Sequence, residues 1–201
     1  GAAIAAHPGV AHMTFTGSVN AGKAVMRCAA DHVASVILEL GGKSPIIVLA
    51  DADADRAVAG ILKGIFKNAG QVCSAGSRLV VARSRFDEVV SRLIDATRTM
   101  TFGHGLNDPS FGPLISAVQA ARVEGFVSRA TKGGAKVLSG GVPVTVQGLP
   151  MGNFFAPTLV SHVLPEDEIA QEEVFGPVLT VQPFDEPEEG LAIASASRYG
   201  L

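Results

Sequence analysis

Pro45-Ile-Ile-Val-Leu-Ala50, Asp51-Ala-Asp-Ala-Asp55, an apolar series from Val58 to Ala69, and Ser77-Arg-Leu-Val-Val-Ala82 follow one another with little between them. The first and last runs are short, apolar and rich in β-branched residues, so they read as buried strands. Between them Val58, Ile61, Leu62, Ile65, Phe66 and Ala69 recur at the spacing of one helical face. Asp51, Asp53 and Asp55 crowd the start of that helix, where carboxylates accept from free N–H groups and suit the dipole. Lys63 and Lys67 suit its far end, and Gly70 is a natural left-handed stop. Strand, helix, strand at this spacing argues for parallel pairing.

The same alternation extends in both directions. Upstream, Val10 to Thr16 reads as a strand and Gly17-Ser18 opens a helix with Ala21, Ala24, Val25, Cys28 and Ala29 on one face. Ser35 to Leu40 is a further strand, stopped by Gly41-Gly42. Downstream, Ser84 with Asp87 is expected to begin a helix that buries Phe86, Val89, Val90, Leu93, Ile94 and Thr97. Ser116 with Gln119 has the form of a capping box for a helix ending at Gly133-Gly134. Lys136 to Leu138, Phe154 to Val160 and Pro177 to Val181 read as strands, and Pro187 to Ala196 as a last helix. The expected fold is α/β, an open, mostly parallel sheet with flanking helices.

Apolar residues make up 47% of the 201 and charged residues 17%, which is ample for a large core. The mean hydropathy of +0.34 is high, yet the apolar stretches are strand-length and far short of the roughly 18–20 residues that span a bilayer. The excess therefore reads as buried sheet, with no membrane partner. A net charge of -3 with scattered basic residues gives no footprint for nucleic acid. The two cysteines, Cys28 and Cys73, form neither a disulfide framework nor a zinc cluster, and free thiols point to a reducing, cytoplasmic setting.

Cys73 lies in Gly70-Gln-Val-Cys-Ser-Ala-Gly-Ser-Arg78, a small-residue loop between a helix and a strand. Small neighbours let a substrate approach the sulfur, and a loop mounted on a rigid helix suits a nucleophile. A free cysteine packed as a small core residue is the other reading. A helix C-terminus disfavours a thiolate, so activation must come from a base, a cofactor charge or backbone N–H groups. Cys28, on an apolar helix face, reads as core. Glu39 is an acid within the apolar run Val36-Ile-Leu-Glu-Leu40; it faces solvent or sits in a pocket as a general base.

Gly42-Lys43-Ser44 suggests a phosphate loop, but that pattern requires glycine at position 37, which is Ile37. Phe15-Thr-Gly-Ser18 places exposed N–H groups at a helix start, where a phosphate could bind. Glu172-Glu-Val-Phe-Gly-Pro177 puts paired acids before a strand, either solvated or set to bind a ribose. The five histidines are dispersed, and His7 with His12 is off helical register, so no metal site is expected. His104 could partner Cys73 in a cysteine hydrolase, though nothing in the sequence couples the two.

In order and spacing these segments resemble the aldehyde dehydrogenase superfamily. Phe15-Thr-Gly-Ser18 resembles its turn at the cofactor, Leu38-Glu-Leu-Gly-Gly-Lys-Ser-Pro45 its glutamate signature and Gly70 to Arg78 its cysteine signature. Glu172 to Pro177 resembles its cofactor-side acidic motif. Phe111-Gly-Pro-Leu-Ile115 and Asn153 to Leu159 are similar as well. The resemblance implies that Cys73 attacks an aldehyde and that Glu39 is the base for hydrolysis of the resulting thioester. It implies cofactor contacts with NAD (or NADP) from Gly17 and Ser18 near the diphosphate, Glu173 on the nicotinamide ribose and Phe175 beside the nicotinamide. A carboxylate at position 39 favours release of a free acid over transfer to coenzyme A. The coenzyme-A-acylating type and a non-catalytic scaffold of the same fold remain the alternatives.

Members of the family are longer, and several of their elements have no counterpart here. The tryptophan-containing segment whose asparagine completes the oxyanion hole is absent, since the chain has no Trp. Also absent are the lysine that grips the adenosine ribose and the strand used in oligomerisation. The chain lacks an initiator Met, and the expectation is a fold truncated at both ends. Residues 1–38 would be the tail of a dinucleotide-binding domain and 39–201 the catalytic domain. By the same resemblance, the parent would be a dimer or tetramer and the isolated chain inactive.

Overall fold

A computed structural model describes residues 1–201. The chain forms two compact units, residues 1–42 and 43–201.

The first unit contains helix α1 (Ala2–Ala5), strand β1 (His12–Thr16), helix α2 (Val19–Ala30) and strand β2 (Ser35–Glu39). The two strands pair in parallel, with His12 opposite Ser35 and Thr16 opposite Glu39. Alternation divides the faces: Met13 is buried with Ala5 and Ala29, and Val25, Cys28 and Val36 pack around them. His12, Thr14, Thr16, Ser35, Ile37 and Glu39 form the exposed face. Ser18 caps α2 through its hydroxyl, which accepts from the Ala21 N–H at 3.3 Å. Helix and strand approach closely where Gly22 faces Leu40, since a Cβ at that position would lie 2.6 Å from a Leu40 methyl.

The second unit is built on a five-stranded sheet in the order β3-β4-β9-β8-β5. Strands β3 (Pro45–Val48), β4 (Arg78–Ala82), β8 (Thr158–Ser161) and β9 (Val178–Phe184) run parallel, and β5 (Lys136–Ser139) closes one edge antiparallel. The α/β reading with a mostly parallel sheet therefore holds. β4 is buried at every position and β9 at nearly every one, as expected of strands covered on both faces. Helix α3 (Ala54–Phe66) starts at Asp53, whose carboxylate accepts from the Arg56 N–H at 2.8 Å, and buries Val58, Ile61, Ile65 and Phe66. Each such side chain contributes about 1.5–3 kcal/mol.

Two helix boundaries differ from expectation. Helix α4 (Arg83–Arg98) follows β4 directly, with Ala82 at the N-cap and no side-chain cap. Ser84 is therefore inside the helix, because the buried strand runs straight into it. Helix α3 ends at Phe66, and Ala69 belongs to the turn after it. The expected strand at 154–160 is two elements, since Ala156-Pro157 separates β7 (Phe154–Phe155) from β8; β7 pairs antiparallel with β6 (Pro143–Val144). Helix α5 (Ala117–Lys132) is capped by Ser116. The short α6 (Glu168–Gln171) and α7 (Pro187–Ser195) complete the unit.

Candidate active site

Three of the quoted motif segments meet the sheet of the second unit at equivalent places. Lys43-Ser44 leads into β3, Cys73 to Ser77 into β4, and Glu172 to Pro177 into β9. These strands are neighbours and parallel, so the three segments share the amino ends of the strands.

The cysteine loop is shaped by a left-handed turn. After Phe66, Asn68 (φ 52, ψ 36), Ala69 (φ 53, ψ 35) and Gly70 (φ 72) all adopt positive φ. Asn tolerates this region, but a buried alanine there costs on the order of 1–3 kcal/mol. The strain is held by reciprocal bonds: the Asn68 amide donates to the Gln71 carbonyl at 3.0 Å, and the Gln71 amide donates to the Asn68 carbonyl at 3.2 Å. Gln71 Oε1 also accepts from the Ile115 N–H at 2.9 Å. Gly70 is required, because a Cβ there would lie 2.1 Å from the Gly176 carbonyl oxygen. That contact joins the cysteine loop to the acidic motif a hundred residues later.

Beyond Gln71 the chain makes a tight turn in which the Ala75 N–H donates to the Val72 carbonyl at 3.0 Å. Cys73 sits in this turn, half-buried, and neither its N–H nor that of Ser74 has an acceptor within the chain. The far side of the loop is fixed by Gly76 N–H to the Gly64 carbonyl and by Thr180 N–H to the Ser77 carbonyl. The thiol is thus presented on a rigid loop with unused donors beside it.

The acidic motif is gripped by α5. Arg122 donates to the Glu173 carbonyl at 2.8 Å, and the Gln119 amide donates to the carbonyls of Val174 and Phe175 at 3.0 and 2.9 Å. The capping box expected at Ser116 is therefore half realised. Ser116 accepts from the Gln119 N–H at 3.2 Å, while the Gln119 side chain turns to the motif. Phe175 has φ 56 and is 36% exposed; a strained aromatic held by its own carbonyl presents its ring to solvent. The Glu172 carboxylate is taken up by Arg198 at 2.8 Å and by the Tyr199 hydroxyl at 3.3 Å.

Lys43, passed over in the phosphate-loop pattern, is 1% exposed, and its ammonium has no hydrogen-bond partner. Burial lowers its pKa to about 7, the like charge of Arg78 pushes the same way, and Glu173 and Glu172 oppose them. Arg78 is buried, and each of its three guanidinium nitrogens donates to a carbonyl, those of Lys43, Ile193 and Ala194, at 2.7–2.9 Å. In sequence, Lys43 had no apolar context to mark it as buried, and Gln119 and Arg122 looked like ordinary helix residues.

In the first unit, the Gly17 N–H donates to the Glu39 carbonyl at 3.0 Å, so the Phe15-Thr-Gly-Ser18 turn adjoins the end of β2. The Phe15 ring lies against Gly17, where a Cβ would meet it at 2.6 Å. Ser18 is exposed at the N-terminus of α2. The Glu39 side chain is exposed. Cys73 and Glu39 belong to different compact units.

The aldehyde dehydrogenase family matches residues 1–201. The chain belongs to that family. Among curated relatives, it is 40% identical to a probable betaine aldehyde dehydrogenase of Schizosaccharomyces pombe, covering 100% of this chain and 40% of the relative. It is 42% identical to lactaldehyde dehydrogenase of Escherichia coli, covering 100% and 42%. A crystal structure of betaine aldehyde dehydrogenase from Staphylococcus aureus in complex with NAD+ superposes with a TM-score of 0.96 at 39% identity, covering 100% of this chain and 40% of that one. An NAD+ complex of an aldehyde dehydrogenase from Bacillus cereus gives 0.95 at 41% identity, with the same coverage. The chain therefore spans about 40% of the length of these aldehyde dehydrogenases. No helix is long and apolar enough to cross a membrane.

Proposed function

We propose that the enzyme containing this chain oxidises an aldehyde to the carboxylic acid with NAD+, using Cys73 as nucleophile and Glu39 as general base. The observation that carries the reading is the backbone contact between Gly70 and Gly176. It puts the cysteine loop against the acidic motif, so that thiol, carboxylate and aromatic ring can serve one reacting centre.

The residues present suit a dinucleotide. Ser18 stands at the exposed N-terminus of a 12-residue helix, which favours a diphosphate. Glu173 offers a carboxylate for a ribose diol, and Phe175 an exposed ring for the nicotinamide. NAD+ is favoured over NADP+ by the two relatives solved with it. The chemistry it supplies when bound is acceptance of a hydride.

In this reading the Cys73 thiolate adds to the aldehyde carbon, and the new oxyanion is met by the unpaired Cys73 N–H. Once that carbon is oxidised, Cys73 carries a thioester. Glu39 takes a proton from a water that adds to the acyl carbon, the C–S bond breaks and the thiolate is regenerated. The same reading places residues 1–38 with the dinucleotide-binding domain and 39–201 with the catalytic domain. Product analysis of the full-length enzyme tests it. With an aldehyde and NAD+, free acid should form at the same rate with or without coenzyme A; product formation only with coenzyme A, as the acyl thioester, would contradict it.

A further inference from the structure

We propose that Gln71 is a positioning residue for Cys73, fixing where the thiol stands relative to the acidic motif. The inference rests on the reading of Cys73 as nucleophile and extends it to a side chain to which that reading gives no part.

Every polar group of Gln71 is engaged. Its N–H donates to the Asn68 carbonyl at 3.1 Å, and its side-chain amide donates to the same oxygen at 3.2 Å. Its carbonyl accepts from the Asn68 amide at 3.0 Å, and its Oε1 accepts from the Ile115 N–H at 2.9 Å. The first three bonds close the left-handed turn on itself. The fourth ties it to a segment with anchors of its own. There Phe111 and Leu114 are buried, and their N–H groups donate to the carbonyls of Thr101 and Asn153, both at 2.9 Å. The Phe111 ring also meets that of Phe66 at the end of α3, with 5.8 Å between centroids. From Ile115 the chain passes into α5, whose Gln119 holds the carbonyls of Val174 and Phe175. Gln71 thus ties the cysteine loop to the support that grips the acidic motif.

The turn that carries the thiol does little to place itself. From Val72 to Ser74 the one hydrogen bond is that of the Val72 carbonyl, which accepts from the Ala75 N–H, so the turn is located from its two ends. Beyond it, the Gly76 N–H donates to the Gly64 carbonyl at 3.1 Å and the Thr180 N–H to the Ser77 carbonyl at 3.0 Å. Ahead of it, Gln71 is the residue between 67 and 71 that hydrogen-bonds to another segment. Without that bond one end of the turn is held only by its own strained loop. A displacement of about 1 Å at a reacting atom can cost on the order of 10²-fold in rate, with binding elsewhere retained.

The test uses the full-length enzyme with Gln71→Met, which keeps the length of the side chain and removes both of its bonds. With enzyme in excess over aldehyde and NAD+ saturating, the rate constant for NADH formation should fall about 10- to 100-fold. KM for NAD+ and the rate at which iodoacetamide alkylates Cys73 should both stay within about threefold of the parent. Asn68→Gly keeps the left-handed backbone but drops the bond to the Gln71 carbonyl, and should show the same pattern with a smaller loss. An unchanged rate constant in Gln71→Met would overturn the proposal. Parallel changes in rate constant, KM and alkylation, with a lowered melting temperature, would also overturn it, since Gln71 would then be merely structural. Cys73→Ala keeps the two readings apart: NADH formation at the parent's rate would remove the nucleophile, and this inference with it. If Gln71→Met fails to fold, Asn68→Gly decides, and a rate constant equal to the parent's would overturn the proposal.

Discussion

The amino and carboxyl ends of β3, β4 and β9 carry different kinds of surface. At the carboxyl ends lies a cavity of about 600 Å³, lined by Leu49 to Asp51, Ala82 to Ser84, and Phe184, Asp185 and Pro187. Open parallel sheets commonly hold ligands in such a place. Yet none of its lining residues has a positive φ, and its one ion pair, Arg83 with Asp185, is exposed on both sides. The amino ends hold Asn68, Ala69, Gly70 and Phe175 at positive φ, an unpartnered buried lysine and a half-buried thiol. Strain and buried charge persist only where the surroundings enforce them. A cavity thus marks one end of this sheet, while the features that cost free energy mark the other.

The largest contrast is expected between Cys73→Ala and Arg83→Ala in the full-length enzyme. The first should lower kcat by on the order of 10³-fold or more, and the second should leave kcat and melting temperature unchanged. Equal losses would mean that the carboxyl-end cavity takes part in the reaction.

Glycine substitutions separate strained from relaxed backbone. Gly70→Ala must place a Cβ 2.1 Å from the Gly176 oxygen at φ 72 and should destabilise by about 3 kcal/mol or more. Gly60→Ala, inside α3 with nothing within 4 Å, should stabilise by about 0.5–1 kcal/mol. Denaturant unfolding of both variants reads the difference, and a tolerated Gly70→Ala would show that the two motif segments are not tightly joined.

A smaller effect is expected from Gln119→Ala, which frees the carbonyls of Val174 and Phe175. It should cost about 1–2 kcal/mol in unfolding free energy and raise KM for NAD+ several-fold. A change in stability without a change in KM would limit α5 to a packing role.

The parts of the molecule visible in its sequence are those governed by local chemistry. Ser18, Asp53 and Ser116 were readable as caps because a short polar side chain before an apolar period has few other uses, and each does cap its helix. Gly70 was readable as a left-handed stop. Asn68 and Ala69 were not, because their conformation is enforced by Gln71 and by the distant Gly176. The expected start at Ser84 failed for a related reason, since tertiary burial of β4 sets the helix boundary in place of a cap. Gln119 kept its place in the cap but spends its amide on a segment 55 residues away, and no local pattern encodes that. The roles of Cys73, Glu39, Gly17, Ser18, Glu173 and Phe175 rest on motif resemblance; what the geometry adds is the close approach of the cysteine loop to the acidic motif and, in the first unit, the Gly17–Glu39 backbone bond.

Acyl trapping on the full-length enzyme asks most directly whether chemistry occurs at the amino ends. A Glu39→Gln variant mixed with aldehyde and NAD+ should release NADH in a burst and then stall, with the acyl mass on the peptide containing Cys73. NADH formation with Cys73 unmodified, or an acyl group on any other residue, would contradict the account.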